Sequence, residues 1–252
     1  MISILSSAKT LAFDDSLEVP PITKPIFQEY GQFLVKSLQQ LSVEQLEKLL
    51  GVSETLANLN YQRFQEFNDS QKRAAILAYR GDVFKQLEID KFNDDDYLFA
   101  QEHLRIISGL YGILRPLDEI KPYRLEMNTN FHVEKNTNLY GFWTTKITEK
   151  LNYELAKHQK QVLLNLASDE YSRVIKRQNF NYPILKISFK EMREGKLKTI
   201  GLIAKKNRGV MTNWIIRHKI DDPEQLKEYS WSGYSYYESL SNEQEFVFLK
   251  QG

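Results

Sequence analysis

Hydrophobic and polar positions along the chain change their period near residue 160. The opening Ile2-Ser3-Ile4-Leu5-Ser6 predicts a short strand that runs into small and polar residues. From Phe27 to Gln40 the apolar positions recur at helical spacing. Ser42 then predicts the cap of a second helix, with Gln45 three residues on completing a capping box. Asn93-Asp94-Asp95-Asp96 predicts another helix start, because carboxylates in a first turn suit the positive end of the helix dipole, and the helical pattern is expected to run from Tyr97 to Leu110. The same acidic run lacks the glycine turn and terminal glutamate of a calcium loop. Past residue 160, Gln161–Leu166, Pro183–Phe189, Leu197–Ala204 and Glu245–Leu249 are expected as strands. Gly209 to Lys219 is expected as a helix with Trp214, Ile215 and Ile216 near its buried side. A sheet formed late in sequence must recruit the N-terminal strand or leave it unpaired. Recruitment beside Val162–Leu166 joins both ends of residues 1–252 into one α/β domain, a single mixed sheet with many helices. No repeat or Gly/Ser linker divides it; only Val19-Pro20-Pro21-Ile22-Thr23-Lys24-Pro25 has the character of an extended connector.

Composition narrows the chemistry. With 42% hydrophobic residues, 14 Phe and 14 Tyr, the chain is too apolar and aromatic for a disordered polymer. Zero cysteines exclude a disulfide scaffold, a Cys-zinc site and thiol redox chemistry. His103, His132, His158 and His218 lie far apart along the chain, so neither a metal site nor a cofactor is expected. No apolar run approaches the roughly 20 residues of a membrane span, and the first residues lack the basic head of a signal peptide. A cytoplasmic monomer with no membrane partner is expected. The net charge of +1 conceals an asymmetry: residues 172–220 hold 13 Lys/Arg against 2 Glu, while residues 221–252 hold 2 against 7 acidic groups. Such a basic stretch suggests a face for a polyanion; a solvated surface balanced by acidic neighbours is the alternative.

Three short patterns could carry function. Leu46 to Leu59, within a hairpin expected over about residues 42–66, is similar to a helix-hairpin-helix element: Gly51 permits the tight turn, Val52 follows it, and Ala57 lets two helices approach. Amides at the second helix's start, with Lys48, would grip a DNA phosphate without reading its base. Ser53 replaces the usual second glycine and Glu54 adds a negative charge, so an ordinary helical hairpin with Ser53 as N-cap stays open. Lys205, Lys206 and Arg208 are expected at a strand-to-helix junction, where exposed amides would add to three cations. Asn165-Leu166-Ala167-Ser168-Asp169-Glu170-Tyr171 leaves a buried strand for a polar loop, the favoured ligand position in α/β sheets. Asp169 and Glu170 there are candidate acid–base groups or simple helix-capping residues. The aromatic tail Trp231–Tyr237 would suit either a protein partner or core packing.

Several blocks, taken in order, resemble one family over nearly the whole chain. They are Ser6–Thr10, Arg80–Phe84, His103–Asp118, Pro122–Met127, Asn165–Tyr171 and Lys205–Gly209. The chain resembles the bacterial YaaA family of peroxide-stress-resistance proteins, although Ser7 stands where that family commonly has proline. The resemblance implies a family-specific mixed α/β fold containing a helix-hairpin-helix, and a positively charged cleft that binds DNA. Lys9, Arg115, Arg124, Ser168 and Tyr171 are the cleft candidates. It further implies a cytosolic role in limiting iron-linked peroxide damage. No Glu-x-x-His pair or carboxylate cage supports direct iron storage. The leading expectation is therefore a protein that binds double-stranded or branched DNA through its backbone, largely without sequence preference. The rival is an enzyme on a nucleobase or nucleotide, using Lys9 with Asp169 or Glu170 in Schiff-base chemistry, which requires burial of the lysine.

Overall fold

The computed structural model describes residues 1–13 and 17–251. Its first strand, β1 (Ile2–Ser6), alternates its side chains between two cores: Ile2 and Ile4 enter one, Met1 and Leu5 the other. A strand apolar on both faces belongs in the middle of a sheet, and β1 lies there. After α1 (Gln28–Leu38), α2 (Val43–Leu50), α3 (Glu54–Gln65), the single turn α4 (Asp82–Lys85) and α5 (Asp94–His103), the chain forms β2 (Leu104–Ser108) and β3 (Gly112–Leu114). There follow α6 (Leu139–Leu155), β4 (Leu163–Asn165), the short α7 (Asp169–Ser172), β5 (Ile184–Arg193), β6 (Lys196–Lys198), α8 (Gly201–Arg217), β7 (Ser230–Trp231), β8 (Tyr234–Tyr236) and β9 (Glu245–Lys250).

Among the described residues these nine strands form one mixed sheet in the order β7-β8-β9-β5-β4-β1-β2-β3, with β6 folded back on β5. β2, β1, β4, β5 and β9 run parallel, with Ile2 opposite Leu163 and Ser3 opposite Leu104. The N-terminal strand is thus recruited as expected. Helices α1, α2, α3 and α6 cover one face through Leu34, Leu46, Phe64 and Trp143, while α5 and α8 cover the other through Ala100, Met211 and Ile215. No helix of the described residues is long and apolar enough to cross a membrane.

Two expected elements are corrected. The helix opened by Asn93 has its capping box, with the Asp96 amide donating to Asn93 Oδ1 at 2.9 Å, but it stops at His103 instead of reaching Leu110. Leu104-Arg105-Ile106-Ile107-Ser108 is drawn into the sheet beside β1, where the two β-branched isoleucines pack in the core. Leu197–Ala204 is not a strand. Only Lys196–Lys198 pairs, all three exposed, and the chain enters α8 at Gly201 because Ala204, Met211 and Ile215 form an apolar face toward the sheet. Lys205, Lys206 and Arg208 consequently sit inside a continuous helix, away from any free first-turn amide.

Candidate functional site

From β1 the chain travels to β2 on one side; from β4 it travels to β5 on the other. The connections diverge between β1 and β4, and the crevice beyond the carboxyl ends of two such strands is the usual ligand position in a parallel sheet. A pocket of about 460 Å³ opens there. Its floor comes from Ser6 to Thr10 after β1 and from Leu166, Ser168, Glu170 and Tyr171 after β4. The two loops are stitched together: the Ser168 amide donates to Ser6 Oγ at 2.9 Å and the two serine hydroxyls lie 3.1 Å apart. Ser7 donates its amide to Ile107 O at 2.9 Å and places its hydroxyl against those of Tyr123 and Tyr171. Burial raises both phenols above their ordinary range, so they act as neutral hydrogen-bonding groups. Behind them the Tyr123 hydroxyl meets Tyr79 at 2.5 Å and Ser108 at 2.7 Å.

One side wall is Arg80–Phe84, tied to the first loop by Thr10 pairing with Arg80. The adjoining wall is α8, which contributes Lys205 and Arg208. Gly209 brings that helix in: a Cβ there would stand 2.2 Å from Val83 O. Among the described residues the Arg208 guanidinium has no hydrogen bond and no ion pair, and its Nε is buried. Burial pushes its pKa below the ordinary arginine range, opposed only by the charge of Asp169. The buried, unpartnered Nε carries a cost of its own, and an anionic ligand in the pocket would supply a partner for the half-buried guanidinium.

At the rim, Glu126 holds Lys9 Nζ at 2.6 Å and Arg124 at 3.0 Å, leaving Arg124 Nε buried without a partner. The half-buried Glu170 accepts from the Asn128 amide at 3.4 Å. Burial raises its carboxyl above the usual carboxylate range, with Glu126 adding repulsion and Lys9 opposing it.

Comparison with known proteins agrees with the family resemblance of the sequence. The sequence model of the family described as peroxide stress protein YaaA matches residues 1–240. The chain belongs to that family. A UPF0246 protein of Crocosphaera subtropica is 70% identical over 250 residues, covering 99% of this chain and 100% of its own length. A UPF0246 protein of Rickettsia felis is 45% identical over 251 residues, covering 100% of both chains.

For this YaaA-family chain, the structure gathers Lys9, Ser168, Glu170, Tyr171, Lys205 and Arg208 in one pocket. It leaves several other candidates elsewhere. Asp169 is 85% exposed and faces Lys186 at 3.5 Å, so it does not join Lys9 and Glu170 in the pocket lining. Arg115 binds the buried Asp118 at 2.8 Å and Lys24 O at 3.0 Å, an internal tether. Lys206 is exposed outside the pocket, because neighbours on a helix point in different directions while Lys205 and Arg208, three apart, share a face. Lys48 lies in the last turn of α2, Gly51, Val52 and Ser53 form the turn between α2 and α3, and none of them lines the pocket. Gly51 has φ 60°, and Ser53 has N-cap backbone geometry without a side-chain capping bond. Arg80, Asp82 and Phe84 line the site although the sequence analysis did not single them out. Their only signal was membership of a matching block.

The histidines also depart from expectation. Distance along the chain did not keep them apart: His103 and His158 meet Asp221 at the amino ends of the strands, opposite the pocket. The Met1 ammonium is bonded to Asp221 and lies 3.4 Å from His158 Nδ1, while His103 Nδ1 is 2.9 Å from Met1 O. The cluster holds the first residue in place. His158 is pushed down to about 4 by burial and by the nearby ammonium.

Proposed function

We propose that the protein binds DNA in the peroxide stress response, contacting backbone phosphate in the cleft between β1, β4 and α8. The observation that carries this reading is Arg208, a half-buried side chain with no hydrogen bond or ion pair among the described residues, lining the same pocket as Lys205. Phosphate is the anion that every nucleotide of DNA presents, and arginine binds it through two parallel hydrogen bonds. The turn at Gly51 offers a second contact, through the amides at the start of α3. Family membership supports the stress-response setting. Schiff-base chemistry at Lys9 has no comparable support: the amine is 60% exposed and held by Glu126, unlike the desolvated, unpaired amine such chemistry needs.

The test is binding of duplex, branched and single-stranded DNA across a salt series. Lys205→Ala and Arg208→Gln should each weaken binding and lower the slope of log affinity against log salt by about 0.9 per lost duplex phosphate contact. Lys206→Ala should change neither. Equal affinity of all three variants and the unaltered protein would remove the cleft from DNA binding.

A further inference from the structure

The cationic wall is only one side of the pocket, and the remaining surface is more than a phosphate needs. The same lining holds the Glu170 carboxyl and the Ser168 hydroxyl, groups that accept from N–H and O–H donors. It also includes the largely buried rings of Phe84 and Tyr171. Inorganic phosphate would pair with Arg208 and leave Glu170, Ser168 and the aromatic edges without a ligand contact. A ligand that meets all of them carries an anion, hydrogen-bond donors and a flat unsaturated body. A phosphorylated nucleoside has these groups.

Size adds a constraint. The volume of about 460 Å³ lies within the roughly 300–1,000 Å³ typical of small-ligand pockets. It accommodates one nucleotide, whereas a base pair joins two and has its hydrogen-bonding edges already engaged. The β1 and β4 loops floor the space and Arg80–Phe84 and α8 wall it, so a base reaches it only when it has left a stack.

We propose that the cleft is a binding site for a single unpaired nucleotide unit, with phosphate on Arg208 and Lys205 and the nucleoside between Phe84, Tyr171 and Glu170. This rests on the reading of the cleft as a phosphate site. Free mononucleotide and a nucleotide within single-stranded DNA present the same chemistry, and the experiment separates them.

Calorimetric titration of the full chain should compare deoxyadenosine 5′-monophosphate, deoxyribose 5-phosphate and inorganic phosphate. The nucleotide is expected to bind at least about tenfold tighter than deoxyribose 5-phosphate, the increment that base stacking on aromatic side chains supplies. Arg208→Gln is expected to weaken nucleotide binding about tenfold or more. Lys205→Ala, at an exposed helix position, provides a second variant whose fold is not at risk. A fluorescent single-stranded oligonucleotide should be displaced by the mononucleotide and bound more tightly than a blunt duplex of the same sequence. Equal binding of all three small molecules, or none by the nucleotide, overturns the inference. Salt-dependent duplex binding with no response to the nucleotide also overturns it, while leaving DNA binding by the protein standing. Nucleotide binding with no affinity for any DNA upholds the pocket and defeats the DNA reading.

Discussion

Arg208 and Gly209 are neighbours on one helix and answer to opposite demands. Gly209 serves packing: its missing side chain lets α8 lie against Val83, and a methyl group there would overlap the Val83 carbonyl. Gly209→Ala should cost about 1–3 kcal/mol by overpacking, measured by urea denaturation. It should also weaken ligand binding, because the two walls of the cleft meet at that contact. Arg208 lines the pocket with its Nε buried and unpartnered, which is a cost to the protein as it stands. Arg208→Leu should therefore leave the thermal midpoint of the phosphate-free protein unchanged or raise it by about 2–4 °C. A midpoint several degrees lower would show that the arginine stabilises the fold itself.

The helical hairpin can be tested as an element. Ser42 caps α2 with a full capping box: its hydroxyl accepts from the Gln45 amide at 3.3 Å, and Gln45 Oε1 accepts from the Ser42 amide at 2.8 Å. Ser42→Ala should cost about 1 kcal/mol, read from denaturant melts, with little effect on DNA affinity. Gly51 ends the same helix at φ 60°, and a Cβ there would meet no atom within 4 Å. Gly51→Val should then cost only the left-handed backbone, about 1–2 kcal/mol. If the turn aims amides at phosphate, DNA affinity in that folded variant falls as well. Unchanged affinity would make the hairpin a structural element covering the sheet face with Leu46 and Phe64.

Across the whole molecule, one end of the parallel strands faces the pocket and the other is tied by Met1, His103, His158 and Asp221. His158 falls from an ordinary 6.5 to about 4 in the folded protein, chiefly through burial, and His103 is lowered in the same direction. The unfolded chain therefore takes up protons at a pH where the folded one does not. The associated stability is present above about pH 6.5 and is lost as pH falls through about 4. Urea midpoints measured over that interval should decline, and His158→Gln should flatten the decline. An equally steep profile in the variant would assign the acid sensitivity to other groups.

Local residue chemistry determined much of this protein. The β1 pattern, the capping box at Ser42, the acidic helix start at Asn93 and the turn at Gly51 were legible because propensity, capping and φ preference act over a few residues. The Asn165–Tyr171 loop was legible as a site because a buried strand ending in polar residues already marks the carboxyl edge of a sheet. Tertiary structure decided the rest. Leu104–Ser108 left the helical pattern because β1 offered it a partner, and Leu197–Ala204 lost its strand because the sheet captured only its first residues. The cationic wall depended on the phase of α8, which turns Lys205 and Arg208 to the pocket and Lys206 away. Asp169 and Glu170, adjacent in sequence, part company for a similar reason: one reaches solvent and the other enters the cleft. The meeting of Met1, His103, His158 and Asp221 has no local signature, since the packing of helix ends around β1 brings together positions more than 200 residues apart.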